Sequence, residues 1–397
     1  MAKLGKAASI LVGILAVAVL ALWATSPDPK FNPASFEQEP LDMTLASLEE
    51  AVTLAQIMGA NAQPQTLMVT DFAGDTIGAV NISQATGEQS FDPFVVLAAL
   101  SEEKLASLSE LQGLERTYSI VDLLPAAPAG DRHIGTGTNF PEHADEASSP
   151  SVFMFPKFGM ATPARTQVAA RDDVLLDYEI ELCMRFDRPI ASIEDFDAAT
   201  KGVFLCGDFT DRAKLTRMVD PDNLDSGSGF SDAKSRADFY PSGPFLVIPL
   251  DWSGFVATER FMTFVNEQPR QDARGGEMTL DFRDLTAKAL GEMGHARFLY
   301  ADEFFELTPE PQIAAEMSLM SGTAEGVIFA GPTRGDIIEG TVKWLFSARW
   351  ARGEGLIPTV IEAFLENEFE SEHFLQPGDV VAYRSSRLGD IRIEVVE

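Results

Sequence analysis

The chain predicts an α+β protein whose larger part is rich in β-strands. Two observations carry this. From Val174 onward, short apolar runs with β-branched and aromatic residues alternate with Gly- and Pro-bearing turns, and few long helical periodicities interrupt them. Of 397 residues, 45% are hydrophobic and 23% charged, an ordinary globular balance with enough apolar side chain for a sizeable core. The formal net charge of -31 argues against nucleic acid, whose phosphates need Lys and Arg, and against docking on anionic lipid surfaces, leaving the N-terminal segment as the expected membrane contact.

Residues 1–25 read as a membrane anchor or signal. Lys3 and Lys6 precede an uncharged apolar run from Ala7 to Ala24, about one short bilayer crossing, and Asp28, Glu37, Glu39 and Asp42 follow it. This asymmetry predicts an N-terminus in the cytoplasm and the remainder exported, on the periplasmic side of the inner membrane. An uncleaved tether is the preferred reading, because the run exceeds a usual signal core and Leu22-Trp23-Ala24 makes a poor cleavage site. A cleaved signal leaving a soluble periplasmic protein is the rival, and a buried helix of the globular domain the third reading.

Residues 26–42, rich in Pro and acidic side chains, read as a linker. Residues 43–130 read as a small α+β region. Leu45, Leu48, Ala51, Leu54 and Ile57 give helical spacing from Met43 to about Gly59. Thr66 to Phe72 and Thr76 to Ile82 flank Ala73-Gly74-Asp75 as a hairpin, and Val95 to Leu111 reads as helical. A Pro-rich break from Asp122 to Pro128 ends this region. In residues 131–397, a strand from Ile134 passes into a loop at Asn139, and Pro141 suits the first turn of a helix. Further strands are expected at Val174 to Met184, Gly202 to Asp208, Pro244 to Pro249, Phe261 to Val265, Gly326 to Ala330, Val380 to Tyr383 and Ile391 to Val396.

The candidate chemistry starts at Glu179 and Glu181. Two apart on one strand, they share a face about 7 Å apart. Burying both on an otherwise apolar strand is costly without a counter-charge. A divalent cation or a solvated edge strand would each explain them. Asp208, just after the apolar run Val203 to Cys206, offers a third oxygen donor. Three hard oxygens suit Mg²⁺, Mn²⁺ or Ca²⁺ rather than zinc, and leave half an octahedral shell for water and substrate.

His143 and Glu146 are three apart and share a helix face. An imidazole takes a proton from water near neutral pH, and a carboxylate one turn away fixes its tautomer. On spacing alone they also read as a surface pair. His133 reads as structural, His295 and His373 as solvated. Cys183 and Cys206 stand two residues from Glu181 and Asp208; they either pair in an oxidising compartment or remain two small buried thiols, the preferred reading. No G-x-S-x-G nucleophile elbow occurs, and Gly135 and Gly137 do not make a phosphate-binding fingerprint.

Several motifs fall in one order: Thr138-Asn139-Phe140-Pro141-Glu142-His143-Ala144-Asp145-Glu146, Val152 to Lys157, the Glu179, Glu181 and Asp208 set, Lys234, Tyr240 to Phe245, Arg270-Gln271, and Leu375 to Val380. In this the sequence resembles the fumarylacetoacetate hydrolase family, from about Asp122 to Val396. The resemblance implies a rolled mixed β-structure for the catalytic domain and a homodimer. It implies Glu179, Glu181 and Asp208 as ligands of Mg²⁺ (or Mn²⁺ or Ca²⁺), His143 and Glu146 as a catalytic pair, and Lys234 as a further catalytic cation. Arg212, Lys157 and Tyr240 become substrate-binding candidates.

The implied reaction is metal-assisted hydrolysis of a C–C bond in a β-diketo acid, such as an acylpyruvate, through a chelated enolate. Isomerisation, hydration or decarboxylation of a related 2-oxo acid is an alternative, as is an exported binder without turnover, because a scaffold does not set its reaction. Two departures stand out. Where the family usually has T-G-T-P after its late helix, the reading here falls on Ala330-Gly331-Pro332-Thr333, which displaces a threonine hydroxyl. An insertion follows at about residues 336–372, with a helix at Pro358 to Glu368 and with Trp344 and Trp350.

Overall fold

A computed structural model of the chain describes residues 13–14, 16–27, 31–100, 115–149 and 151–397. They divide into two compact units: Met1–Asn32 with Ile328–Phe374, and Pro33–Val327 with Leu375–Glu397.

The larger unit holds a ten-stranded sheet in the order β4 (Arg116–Ser119), β3 (Thr76–Asn81), β2 (Pro64–Ala73), β1 (Ala51–Met58), β12 (Leu246–Pro249), β10 (Lys201–Gly207), β9 (Ile180–Phe186), β17 (Leu319–Met320), β5 (Arg132–Gly137) and β6 (Phe153–Phe158). A five-stranded sheet runs β14 (Gln268–Arg274), β13 (Arg260–Val265), β18 (Val380–Ser385), β19 (Asp390–Val396) and β7 (Arg165–Ala169). Two small ribbons pair β8 (Leu176–Asp177) with β11 (Thr210–Asp211), and β15 (Phe298–Tyr300) with β16 (Glu303–Phe305). Most neighbours are antiparallel, but β17 with β5 and β19 with β7 are parallel, so both large sheets are mixed.

Every residue of β9 and β10 is buried. A strand covered on both faces reads as a nearly continuous apolar run, which is why Leu182-Cys183-Met184 and Val203-Phe204-Leu205 stand out in the sequence. Charges inside such strands therefore need partners within the protein.

Four local expectations are corrected. The segment expected as a helix from Met43 to Gly59 contains β1, which pairs β2 on one side and β12 on the other. Ala51 to Gln56 are all buried, so no two-residue alternation marked the strand, and chance three- and four-residue spacing of apolar side chains was read instead. The helix expected from Val95 to Leu111 is helical as Pro93–Ala98, and its part from Ser101 lies outside the described residues. The run Val174 to Met184 breaks at Tyr178-Glu179, between β8 and β9. Residues 326–330 form no strand; β17 lies earlier.

In the smaller unit, a helix at Arg334–Phe346 starts on a capping box between Thr333 and Asp336. A short turn at Arg349–Arg352 leads to a second helix, Leu356–Ser371, which contains the one expected from Pro358 to Glu368. Of the expected membrane run, residues 13–14 and 16–24 are helical and the rest lies outside the described residues. Among the described residues, no helix is long and apolar enough to cross a membrane.

Candidate active site

The antiparallel register of β9 and β10 sets Cys206 opposite Glu181 and Gly207 opposite Ile180. One step on, the Asp208 N–H donates to the Glu179 carbonyl oxygen at 2.9 Å. This brings Glu179, Glu181 and Asp208 together although Glu179 stands in the break before β9. All three are buried, and a carboxylate oxygen from each lies within 4.8 Å of the others.

Three cations reach the cluster from separate elements. Arg212 opens the helix Arg212–Met218, which Asp211 caps. Its Nε donates to Asp177 Oδ2 at 2.8 Å and its Nη2 to Glu179 Oε1 at 2.6 Å. Lys234 ends the helix Phe230–Lys234; its Nζ donates to Glu179 Oε2 and to Thr210 Oγ1, both at 2.7 Å. Nζ also lies 2.9 Å from Asp208 Oδ2, an ion-pair distance without hydrogen-bond angles. Lys157, on β6, donates to Asp208 Oδ1 at 2.5 Å and to the carbonyls of Lys234 and Phe239.

The balance is unequal. Asp177, Glu179, Glu181 and Asp208 face Arg212, Lys234 and Lys157, and Glu181 is the carboxylate left over. Its Oε2 accepts the Gly322 N–H at 2.9 Å, while its buried Oε1 has no hydrogen-bond partner. Burial works against the Glu179 anion, but Lys234 and Arg212 outweigh it and hold that carboxyl below its ordinary value. Burial, then the charges of Asp208 and Glu179, push the Glu181 carboxyl well above the usual carboxylate range. Burial opposes the Lys234 ammonium as well, yet Asp208 and Glu179 keep it raised. Three oxygen donors with one anion uncompensated fit a hard divalent cation.

Gly322 donates to Glu181 because its φ of 81° turns the backbone into the left-handed region, which glycine tolerates. A Cβ there would come within 3.2 Å of Asn139 Cβ and Thr136 O. The flanking residues brace the same strand: Leu182 N donates to Ser321 Oγ at 3.0 Å, and Thr323 Oγ1 donates to Ile180 O at 3.0 Å. Gln271 spans the gap, accepting from Ile180 N and Thr263 Oγ1 and donating to Thr323 Oγ1 and Ala324 O. The glycine–threonine segment beside the carboxylates is therefore Ser321-Gly322-Thr323, not Ala330-Gly331-Pro332-Thr333, and its threonine hydroxyl is bonded to Ile180 O and Gln271. The misplacement arose from reading residues 326–330 as a strand. Thr210 and Asp177, which complete the polar network, carried no motif of their own.

His143 and Glu146 lie on the helix Pro141–Glu146, with Pro141 in its first turn. His143 Nδ1 stands 2.9 Å from Glu146 Oε2, and Glu146 Oε1 accepts the Gly326 N–H at 2.8 Å. Both side chains are only slightly exposed. Asn139 pins the preceding loop, bonding Leu280 through both its amide groups and donating to Ser321 O at 2.8 Å.

Tyr240 is fully buried, its hydroxyl 2.8 Å from Ser318 Oγ and its ring against His133. His133 accepts the Ser318 N–H on Nδ1, and burial followed by the Lys157 charge lowers its pKa to about 3. His295 is exposed, but His373 is not solvated as expected: its Nε2 lies 3.1 Å from Glu368. Cys183 and Cys206 are joined as a disulfide rather than left as thiols, with Cα atoms 6.0 Å apart across β9 and β10. Both alternate onto the same face of that strand pair, which is why they meet.

Residues 132–396, well over half of the chain, match the fumarylacetoacetate (FAA) hydrolase C-terminal family. The chain belongs to that family of enzymes. No curated protein matches it. Among solved structures, a Mycobacterium abscessus protein assigned as a 2-hydroxyhepta-2,4-diene-1,7-dioate isomerase is similar at a TM-score of 0.50 and 19% identity, over 87% of this chain and 98% of that one. A Mycobacterium smegmatis protein assigned as HpcE gives 0.53 and 17%, over 87% and 100%. Fumarylacetoacetate hydrolase from psychrophilic Exiguobacterium antarcticum gives 0.50 and 17%, over 87% and 99%. At such identities the likeness shows the shared fold alone.

Proposed function

We propose that the chain is a divalent-metal-dependent hydrolase that cleaves a C–C bond in a β-diketo acid of the acylpyruvate kind. The observation that carries this is the unpartnered, buried Glu181 Oε1 in a triad of oxygen donors. Glu179, Glu181 and Asp208 would hold Mg²⁺, with Mn²⁺ and Ca²⁺ as alternatives. The ion would supply Lewis-acid stabilisation of negative charge on the keto and carboxylate oxygens of the substrate. His143, oriented by Glu146, takes a proton from water, whose oxygen adds to the distal carbonyl. The C–C bond then breaks, its electrons pass to the 2-oxo acid half as an enolate, and a proton returns to that carbon. The products are a carboxylic acid and a pyruvate-type acid. Lys234 and Arg212 hold Glu179 as an anion throughout, and Lys157 donates to Asp208.

Purified chain stripped with a chelator and resupplied with Mg²⁺ is tested on acylpyruvates, oxaloacetate and hydroxydienoates. Acylpyruvate cleavage that disappears in His143→Ala is expected. Isomerisation of a hydroxydienoate without acylpyruvate cleavage would instead make the chain an isomerase. Tight binding of oxalate with no turnover would make it a binder.

We further propose that the domain is exported and tethered at the periplasmic face by residues 7–24, and that it forms a homodimer. The charge asymmetry about the apolar run supports the first, as does a disulfide of a kind that persists in oxidising compartments. Family resemblance alone supports the second. Fractionation with protease protection checks location: a soluble cytoplasmic chain would refute export, and an exported chain beginning near Thr25 would replace the tether by a cleaved signal. Light scattering reads the oligomer.

A further inference from the structure

The helical hairpin of the smaller unit turns hydrocarbon outward at one end. Where the two helices are joined, Phe346 is 87% exposed, Ile357 72%, Trp350 57% and Leu345 50%. Large apolar side chains gathered this way on a surface mark a site of contact rather than the usual scatter. Trp344 Nε1 donates to Glu354 O at 2.8 Å across the tip, and the turn Arg349–Arg352 closes it.

Charge separates this tip from the rest of the chain. Lys343-Trp344-Leu345-Phe346-Ser347-Ala348-Arg349-Trp350-Ala351-Arg352 has three cations and no carboxylate, in a chain of net charge -31. Glu354 and Glu366 pair with these cations from the rim, Glu354 with Arg352 at 2.6 Å. Cations beside aromatic and aliphatic side chains are the composition of a bilayer interface, where ring edges meet headgroups and long cationic stems snorkel.

Two contacts orient the tip. Trp23 Nε1 donates to Glu339 Oε1 at 2.6 Å, and Gly335 N donates to Ser26 Oγ at 2.9 Å. The later residue of one segment meets the earlier residue of the other, so the N-terminal segment runs antiparallel to the helix Arg334–Phe346. From Glu339 to Phe346 is about 10 Å of helix. The same distance back from Trp23 reaches about Ala16, inside the apolar run. Ile14, Val17, Leu20 and Leu22 of that run are themselves exposed.

We propose that the hairpin tip, with Leu345, Phe346, Trp350 and Ile357, seats in a lipid bilayer surface beside the N-terminal apolar run. Lys343, Arg349 and Arg352 meet the headgroup phosphates. A tip of this length suits the headgroup–acyl boundary that interfacial helices occupy. The overall negative charge argues against anionic lipid for the whole chain, but at the tip the sign is reversed. A second copy is the rival occupant, and like cations on both tips oppose it. The direction of the tip rests on the tether proposed above; its exposure does not.

The test reconstitutes the full chain into phosphatidylcholine vesicles with and without phosphatidylglycerol. One chain keeps Trp350 alone, with Trp23→Phe, Trp252→Phe and Trp344→Phe; a second keeps Trp23 alone, with the other three replaced by Phe. Brominated lipid is expected to quench both. Acrylamide quenching of Trp350 is expected to rise several-fold after Phe346→Asp with Ile357→Asp, positions exposed enough not to disturb folding. Quenching of Trp23 but not Trp350 by brominated lipid would overturn the seated tip and leave the tether standing. Quenching of neither would overturn both. Shielding of Trp350 from lipid and acrylamide alike would mean that protein covers it, and would also overturn the proposal.

Discussion

The strands around Glu181 and the hairpin around Phe346 are inverted images of each other in polarity. Around β9 and β10, four carboxylates and three cations from separate elements are drawn into the apolar interior, where each must be answered by a neighbour. In the hairpin tip the apolar side chains face out, and its cations pair with half-exposed carboxylates at the rim. Buried charges cost several kcal/mol each to desolvate unless they are partnered, whereas exposed ion pairs are worth ~0–1 kcal/mol. Identical residue types therefore carry different weight in the two regions. The unanswered carboxylate in the first is what the proposed cation would meet, and the exposed hydrocarbon in the second is what the proposed lipid surface would cover.

Substitutions sharpen this contrast. The largest effect is expected from Arg212→Met, which strips both Asp177 and Glu179 of a buried partner. It should cost about 3–5 kcal/mol and lower the thermal midpoint by roughly 10 °C; an unchanged midpoint would mean that water reaches those carboxylates. Next comes Cys183→Ala with Cys206→Ala. Their sequence separation of 23 residues places the loss near ~3 kcal/mol on a loop-entropy account, read as a lower denaturant midpoint that reducing agent no longer shifts. The smallest is Lys343→Ala, whose ion pair with Glu366 is exposed. Thermal unfolding should change by less than ~1 kcal/mol, and a loss like that of Arg212 would erase the distinction drawn here.

The sequence disclosed the site better than the architecture. Glu179, Glu181, Asp208 and the His143–Glu146 spacing are legible because charge inside an apolar run is conspicuous and a three-residue helical offset is simple to count. β1 was not legible, because its burial on both faces erased alternation. Ser321-Gly322-Thr323 was missed because its role depends on the left-handed φ of Gly322 and on long-range bonds to Glu181 and Leu182, neither of which has a local signature. The disulfide needed register: only the pairing of β9 with β10 brings Cys183 and Cys206 together. The hairpin tip was visible as two tryptophans, but its outward face appears only once the two helices pack.

The proposed function turns on Glu181 as the carboxylate that would meet the cation, and one comparison addresses it. Thermal unfolding of the chelator-stripped chain and of Glu181→Gln is measured with and without Mg²⁺ or Mn²⁺. The account predicts that metal raises the midpoint of the natural chain, because an ion that binds only the folded state stabilises it. It predicts that Glu181→Gln is at least as stable without metal, since a neutral amide replaces a buried carboxyl whose charge burial and its neighbours oppose, and that metal then shifts it little. An equal metal shift in both chains, or a metal-free Glu181→Gln well below the natural chain, would contradict it.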